Sequence, residues 1–259
     1  MLLQDRVAIV SGVGPGMGRD ISLALAREGA DLVLGARNAG KLEAVAAEVE
    51  AAGRQALVVP TDITDEDQCR AIADAAQEKF GRLDVLVNNA FVQPPFETIE
   101  QNEMKTWRKG FDVNVFGSIQ MTKAVIPHMK EGGSGSIVFI NSMSARRIQA
   151  EFGVYAASKA ALLTAAQTLA KELGPYGIRV NSVVPGYIWG DSVEWYFRFL
   201  AEQEGITPEE KYDQVASETA LHHLPTSAEI ADTVVFFVSD LSRVVTGQAL
   251  DVNAGHWFA

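Results

Sequence analysis

Six short runs rich in β-branched residues recur along the chain at intervals wide enough for a helix, at 7–10, 32–34, 56–59, 85–87, 137–140 and 178–180. Apolar character over three or four consecutive residues suits strands covered on both faces, as in a parallel sheet. Between the runs the period changes to that of amphipathic helices. Ile21 and Leu25, then Leu42, Val45, Ala46 and Val49, then Ile72, Ala75 and Ala76 repeat at three- and four-residue spacing beside Glu, Lys and Arg. Right-handed crossovers stack such units into an α/β, single-domain, doubly wound parallel sheet with helices on both faces. With 47% hydrophobic residues in 259 the chain can bury that core, and no linker or low-complexity tract divides it, so residues 1–259 read as one domain.

The rhythm breaks only at about 190–225. This insertion is helix-like and aromatic (Trp195, Tyr196, Phe197, Phe199, Leu200) and precedes a helix whose opening, Ser227-Ala228-Glu229-Ile230, reads as a cap. At the carboxyl edge of a parallel sheet it is placed to cover a ligand crevice, and a substrate lid is expected there.

Charge narrows the partners. The 22 Lys and Arg stand against 33 Asp and Glu, a formal net charge of -11, and no basic run exceeds Arg146-Arg147, so no nucleic-acid partner is expected. The longest apolar runs, such as 234–238, are far short of a bilayer span, and Asp5 and Arg6 interrupt the place a signal peptide would use; no membrane association and a cytoplasmic location are expected. Cys69 has no second cysteine to pair with, and the adjacent rings of His222 and His223 point apart, so no metal site is expected.

The first strand runs directly into Ser11-Gly12-Val13-Gly14-Pro15-Gly16-Met17-Gly18 and then a helical pattern. Glycines at a strand-to-helix turn let the backbone approach a pyrophosphate, and the helix N-terminus favours its charge. The spacing of Gly12, Gly16 and Gly18 is G-x-x-x-G-x-G rather than G-x-G-x-x-G, and a tight βα connection without a ligand is the plainer reading. After the second strand, Leu34-Gly35-Ala36-Arg37-Asn38 lacks the carboxylate that would hold an adenosine 2′-hydroxyl. Arg37 suits a 2′-phosphate, which points to NADP, with NAD as the other option; the bland alternative is a solvated arginine. Asp62 has two readings, acceptor for the adenine amino group or cap of the helix after Asp65. The amides of Asn88 and Asn89, before Ala90, bridge backbone strands or touch ribose.

Tyr155 and Lys159 lie four apart in a helical segment, on one face. An ammonium beside a phenol lowers the phenol's pKa and makes a usable acid or base. Taken alone, such a pair is commonplace on helix surfaces.

In combination, the glycine turn, Asn88-Asn89-Ala90, Asn114, Ser142 thirteen residues before Tyr155, Tyr155-Ala156-Ala157-Ser158-Lys159, Pro185-Gly186 and Thr246-Gly247-Gln248 resemble, in order and over nearly the whole chain, the short-chain dehydrogenases/reductases. The resemblance implies a Rossmann-like sheet of about seven strands and an NAD(P)-dependent oxidoreductase interconverting a ketone and a secondary alcohol by hydride transfer. NADPH-linked reduction of a partly apolar carbonyl compound is the expected direction. It also implies Ser142 holding the substrate oxygen, Tyr155 as proton donor or acceptor, Lys159 lowering the Tyr155 pKa and binding nicotinamide ribose, and Asn114 anchoring a water between Lys159 and solvent. Cofactor contacts are implied for Gly12, Gly14, Gly16, Met17 and Gly18, for Arg37, Asp62, Ile63, Asn89 and Ala90, for Tyr155 and Lys159, and for Pro185, Gly186 and Ile188. A homotetramer is implied as well, built on helices near 100–130 and 153–173 and the last strand. Other readings of the same motifs are a catalytically inactive dinucleotide-binding regulator and an epimerase or dehydratase that retains its nicotinamide.

Three positions depart from the family pattern. Phe91 replaces a Gly and is expected to wall the pocket; Gly190 replaces a Thr that commonly touches the cofactor; Ala254 interrupts the terminal D-G-G. Substrate-side candidates are Met143, Ser144, Ile148 and Phe152, Phe91 and Gln93, Tyr187 and Trp189, and Trp195, Tyr196 and Phe199, each of which could equally pack the lid onto the body. Arg146 and Arg147 are expected to be solvated rather than bound to an acidic substrate.

Overall fold

In a computed structural model describing residues 1–258, all six expected runs are strands and a seventh lies near the C-terminal end. They are β1 (Val7–Ser11), β2 (Asp31–Ala36), β3 (Ala56–Pro60), β4 (Val85–Asn88), β5 (Gly135–Ile140), β6 (Ile178–Pro185) and β7 (Ala249–Val252). The helices are α1 (Met17–Arg27), α2 (Ala39–Ala51), α3 (Glu66–Phe80), α4 (Met104–Phe111), α5 (Ser118–Glu131), α6 (Gly153–Leu173), α7 (Asp191–Glu204), α8 (Pro208–Ser217) and α9 (Ser227–Val238). All strand pairs are parallel, in the order β3-β2-β1-β4-β5-β6-β7. The order reverses between β1 and β4, and a crevice opens beyond their carboxyl ends.

Pleating divides the apolar residues between two layers. Ala8, Val10, Leu32, Leu34, Val85, Val87 and Val138 pack with residues of α1, α2 and α9, whereas Val7, Ile9, Val33, Leu86, Ile137 and Phe139 pack with residues of α3, α5 and α6. Each fully buried side chain of this size contributes about 1.5–3 kcal/mol by removal from water. That is why the strands read as unbroken apolar runs rather than alternating ones.

Helix starts follow local side-chain chemistry. Asn38 accepts from the Lys41 N–H at 3.1 Å to cap α2, and Asp65 accepts from Asp67 and Gln68 N–H at 2.9 and 3.1 Å to cap α3. The cap of α9 is Thr226, one residue before the expected Ser227, because Thr226 can pair reciprocally with Glu229: the carboxylate accepts the Thr226 N–H at 2.8 Å. Those bonds and His223 hold the Glu229 carboxyl down to about 2, which also accounts for His223. The insertion is α7 and α8, joined to the body by Phe197, Ala216 and Leu224 packed with Tyr187, Trp189 and Tyr212. Among the described residues no helix is long and apolar enough to cross a membrane, and no three metal-ligating side chains cluster.

Candidate active site

The glycine turn, the ends of β4 and β5, and the start of α6 meet at the carboxyl edge of the sheet. Gly12 has φ +87°, and a Cβ there would collide with the Ala90 backbone; one on Gly18 would collide with the Gly12 carbonyl. Those two glycines are demanded by the protein's own packing. Gly14 and Gly16 are not, since no atom lies within 4 Å of a Cβ built on either. Gly16 is also the N-cap of α1 and brings no capping side chain. An open, backbone-lined cradle at an uncapped helix N-terminus fits a diphosphate. Asn89 locks the turn, its Nδ2 donating to the Gly12 carbonyl at 2.7 Å, while Asn88 donates to Thr122 Oγ1 at 3.0 Å; both amides therefore bridge the backbone and core. Met17 packs partly buried against the core layer behind α1.

Arg37 is exposed beyond β2. Its charge helps hold the Asp62 carboxyl below its ordinary value, after the larger effect of Thr64, whose N–H and hydroxyl donate to Asp62 Oδ1 at 3.0 and 2.7 Å. The capping alternative for Asp62 is thereby removed, because Asp65 fills that role. Ile63 is buried over Gly117, where a Cβ would lie 2.7 Å from Ile63 Cγ1.

At the end of β5, Ser142 accepts from the Ser144 N–H at 3.2 Å. Tyr155 sits in the first turn of α6; burial pushes its phenol up to about 12, and the nearby Ser142 hydroxyl opposes this only in part. Lys159, one turn later, is buried, donates to the Ile140 carbonyl at 2.8 Å and lies 5.7 Å from the centre of the Tyr155 ring. Burial pulls its pKa down to about 8. The expected depression of the phenol by Lys159 is thus not met in the protein by itself: both groups are desolvated, and the lysine's bond goes to a backbone carbonyl instead of the phenol.

This burial makes stability depend on pH with a definite sign. Unfolded, Lys159 regains its ordinary value near 10.5, so between about 8 and 10.5 the unfolded chain binds the extra proton and stability rises with pH. A displacement of that size corresponds to about 3 kcal/mol, felt in full below pH 8. In thermal melts, the stability of Lys159→Met relative to the unsubstituted protein should therefore fall as pH goes from 7 to 10; a gap that does not change with pH would overturn it.

Asn114 occupies a π-helical turn, Asp112–Gly117, between α4 and α5. Its side chain does not contact Lys159. Oδ1 accepts from the Val92 N–H at 2.8 Å, and Nδ2 donates to the Val92 carbonyl and Ser158 Oγ, each at 3.1 Å. The side chain clamps the loop after β4 to α6. Pro185 ends β6, and Gly186 is packed so closely that a Cβ would lie 2.8 Å from that of Asn253.

A family model described as Enoyl-(Acyl carrier protein) reductase matches residues 12–256. An uncharacterized oxidoreductase of Methylorubrum extorquens is 36% identical over 98% of both chains, and the 7alpha-hydroxysteroid dehydrogenase of Escherichia coli is 33% identical over 98% of this chain and 94% of its own. The chain is a short-chain dehydrogenase/reductase. Among solved structures, carveol dehydrogenase from Mycobacterium avium in complex with NAD aligns with TM-score 0.93 at 29% identity, covering 98% of each chain.

In this short-chain dehydrogenase/reductase, aromatic side chains gather around the start of α6. The Phe91 ring lies 6.3 Å from that of Tyr155, so the bulk replacing a Gly forms a wall. Phe96, which carried no signal in the sequence, lies 4.9 Å from Phe152 and 5.8 Å from Tyr196 and links the approach to α6 with α7. Trp189 packs edge-on against Tyr212 at 4.5 Å and Ile188 rests on the core. Ile148, Trp195 and Phe199 are exposed, and the last two stack on each other at 6.1 Å. Gly190 begins α7 with no side chain to replace the missing Thr.

Arg146 and Arg147 are corrected from solvated to structural. Arg146 holds both Asp251 oxygens at 2.6 Å, and Arg147 contacts His256 and reaches Glu218 at 3.8 Å. They tie the loop after Ser142 to β7 and to the C-terminal tail, where Ala254 takes φ +53° and His256 stacks on Tyr187 at 5.9 Å.

Proposed function

We propose that this enzyme interconverts a ketone and a secondary alcohol with a nicotinamide dinucleotide, preferring NADPH and acting chiefly in the direction of carbonyl reduction on a partly apolar small molecule. The observation that carries this reading is the buried Ser142 hydroxyl and the Tyr155 phenol placed next to each other beside Phe91, with a cradle open at Gly14 and Gly16. The chemistry such a cofactor brings is the hydride. Ser142 orients the substrate oxygen, and Tyr155 passes it a proton; a phenol held near 12 is fully protonated at neutral pH, the form reduction needs. Lys159 carries the charge next to the site and binds ribose hydroxyls, Asn114 keeps the Val92 loop and α6 in register, and α7 with α8 excludes water over the pocket.

Arg37 and Asp62, with Ile63, Asn89 and Ala90, would hold the adenosine end, and Pro185, Gly186 and Ile188 would hold the nicotinamide end. A regulator without turnover would have no use for the desolvated Ser142, Tyr155 and Lys159 set. A homotetramer belongs to the same proposal, supported by exposed Val244 and Leu250 at the edge strand β7.

Cofactor preference is tested by titrating the protein with NADPH and NADH while following nicotinamide fluorescence. Arg37→Ala should weaken NADPH about tenfold, as expected for a lost charge-assisted contact to phosphate, and leave NADH within twofold. Tighter NADH binding, unaffected by the substitution, would make Arg37 a bystander and overturn the NADPH reading.

A further inference from the structure

Arg37 does not face solvent alone. A cavity of about 700 Å³ has Arg37 and Asp62 on one side, and on the other Lys105, Arg108, Lys109 and Asp112, which fall at i, i+3, i+4 and i+7 along α4 and the π turn that follows it. One stripe of a single helix therefore faces the end of β2. In a chain of net charge -11, this groove sets four cations against two carboxylates. Lys105 is paired with Glu103 at 2.7 Å, and Asp62 accepts from Thr64. Among the described residues, Arg37, Arg108 and Lys109 have no carboxylate within ion-pair distance, although carboxylates outnumber cations three to two in the chain.

With Asp62 and Asp112 counted the groove still carries a net positive charge of two, and a multiply charged anion in it would offset the repulsion among Arg37, Arg108 and Lys109. Two guanidinium forks and an ammonium match the three terminal oxygens of a phosphate monoester. The cavity also has the size of an ordinary small-molecule site.

We propose that Arg108 and Lys109 are specificity-determining residues, which together with Arg37 hold a phosphate monoester on the adenosine ribose of the cofactor. This rests on the reading that the adenosine end lies between Arg37 and Asp62. On this assignment the preference for a phosphorylated cofactor is set from two sides of the groove, by a loop residue and by a helix about 70 residues further along the chain.

The test uses the full chain and two ligands differing only in the 2′-phosphate, adenosine 2′,5′-bisphosphate and 5′-AMP, titrated calorimetrically against the unsubstituted protein, Arg108→Gln, Lys109→Gln, the double variant and Arg37→Gln. Both helix positions are exposed, and thermal melts of each variant check that folding is unchanged. Each single α4 substitution should narrow the bisphosphate preference about threefold to tenfold and the double variant more, with 5′-AMP affinity moving less than twofold. An unchanged preference in the double variant overturns the assignment. If Arg37→Gln then collapses the preference, the NADPH reading stands while the α4 assignment fails. If the unsubstituted protein shows no preference for the bisphosphate, the NADPH reading fails and this assignment with it. Equal weakening of both ligands also overturns it, since general attraction for anions does not distinguish the 2′-phosphate.

Discussion

Replacing Tyr155 with Phe should lower turnover by about 10³-fold, within the range for removing a positioned general acid, while nicotinamide dinucleotide affinity stays within about threefold. The substitution deletes one hydroxyl and keeps the ring, which packs 6.3 Å from Phe91 at the start of α6. Deleting one hydroxyl from a preserved ring costs about 1 kcal/mol, too little to disturb the fold. The phenol is held near 12, so the unsubstituted enzyme has a proton to give throughout the neutral range, and the variant has none at that position. Nicotinamide absorbance with a panel of apolar ketones measures turnover, and fluorescence titration measures binding. Turnover within tenfold of the unsubstituted enzyme would remove Tyr155 from the mechanism. Loss of binding together with turnover would make it a structural residue.

The second large effect is expected at Gly12. Gly12→Ala forces a side chain into φ +87° and against the Ala90 backbone, which cannot retreat because β1 and β4 are paired through Ser11 and Asn88 immediately before these residues. The left-handed conformation costs about 1–2 kcal/mol and the backbone collision adds to it, for a total of about 3–5 kcal/mol. For a chain of this size the melting temperature should fall by about 10 °C. Gly14→Ala is the matched control. Its Cβ meets no protein atom, so stability should change by less than about 0.5 kcal/mol while dinucleotide affinity drops about tenfold. Equal melting temperatures for the two variants would contradict the packing described for Gly12, and undiminished affinity in Gly14→Ala would move the diphosphate out of the cradle.

The strands and helices were legible because their signals are local. A buried parallel strand must be apolar along its length, and its covering helix must show the 3.6-residue period, whatever lies elsewhere in the chain. The glycine turn and the Tyr155–Lys159 spacing were legible for the same reason. What local pattern did not carry were contacts between distant segments. Arg146 and Arg147 read as a solvated pair because Asp251 and His256 are more than a hundred residues away. The Asn114 clamp was hidden for the same reason, since nothing near Asn114 in sequence points to Val92. Phe96 went unnoticed, its partners Phe152 and Tyr196 lying on α6's approach and on α7. The cap of α9 is Thr226 rather than Ser227, because Glu229 stands three residues after Thr226 and completes the reciprocal pair.

The amino-acid sequence by itself determined the doubly wound sheet, the turn at Gly12 to Gly18 and the presence of Ser142, Tyr155 and Lys159, since each follows from residue type and short-range spacing. Tertiary structure alone decided the electrostatics of those groups. Whether Lys159 depresses the Tyr155 phenol, and whether Arg37 stands alone or opposite Arg108 and Lys109, depends on desolvation and on distances across the fold, and both fall off too steeply with separation in space to be read from separation along a chain.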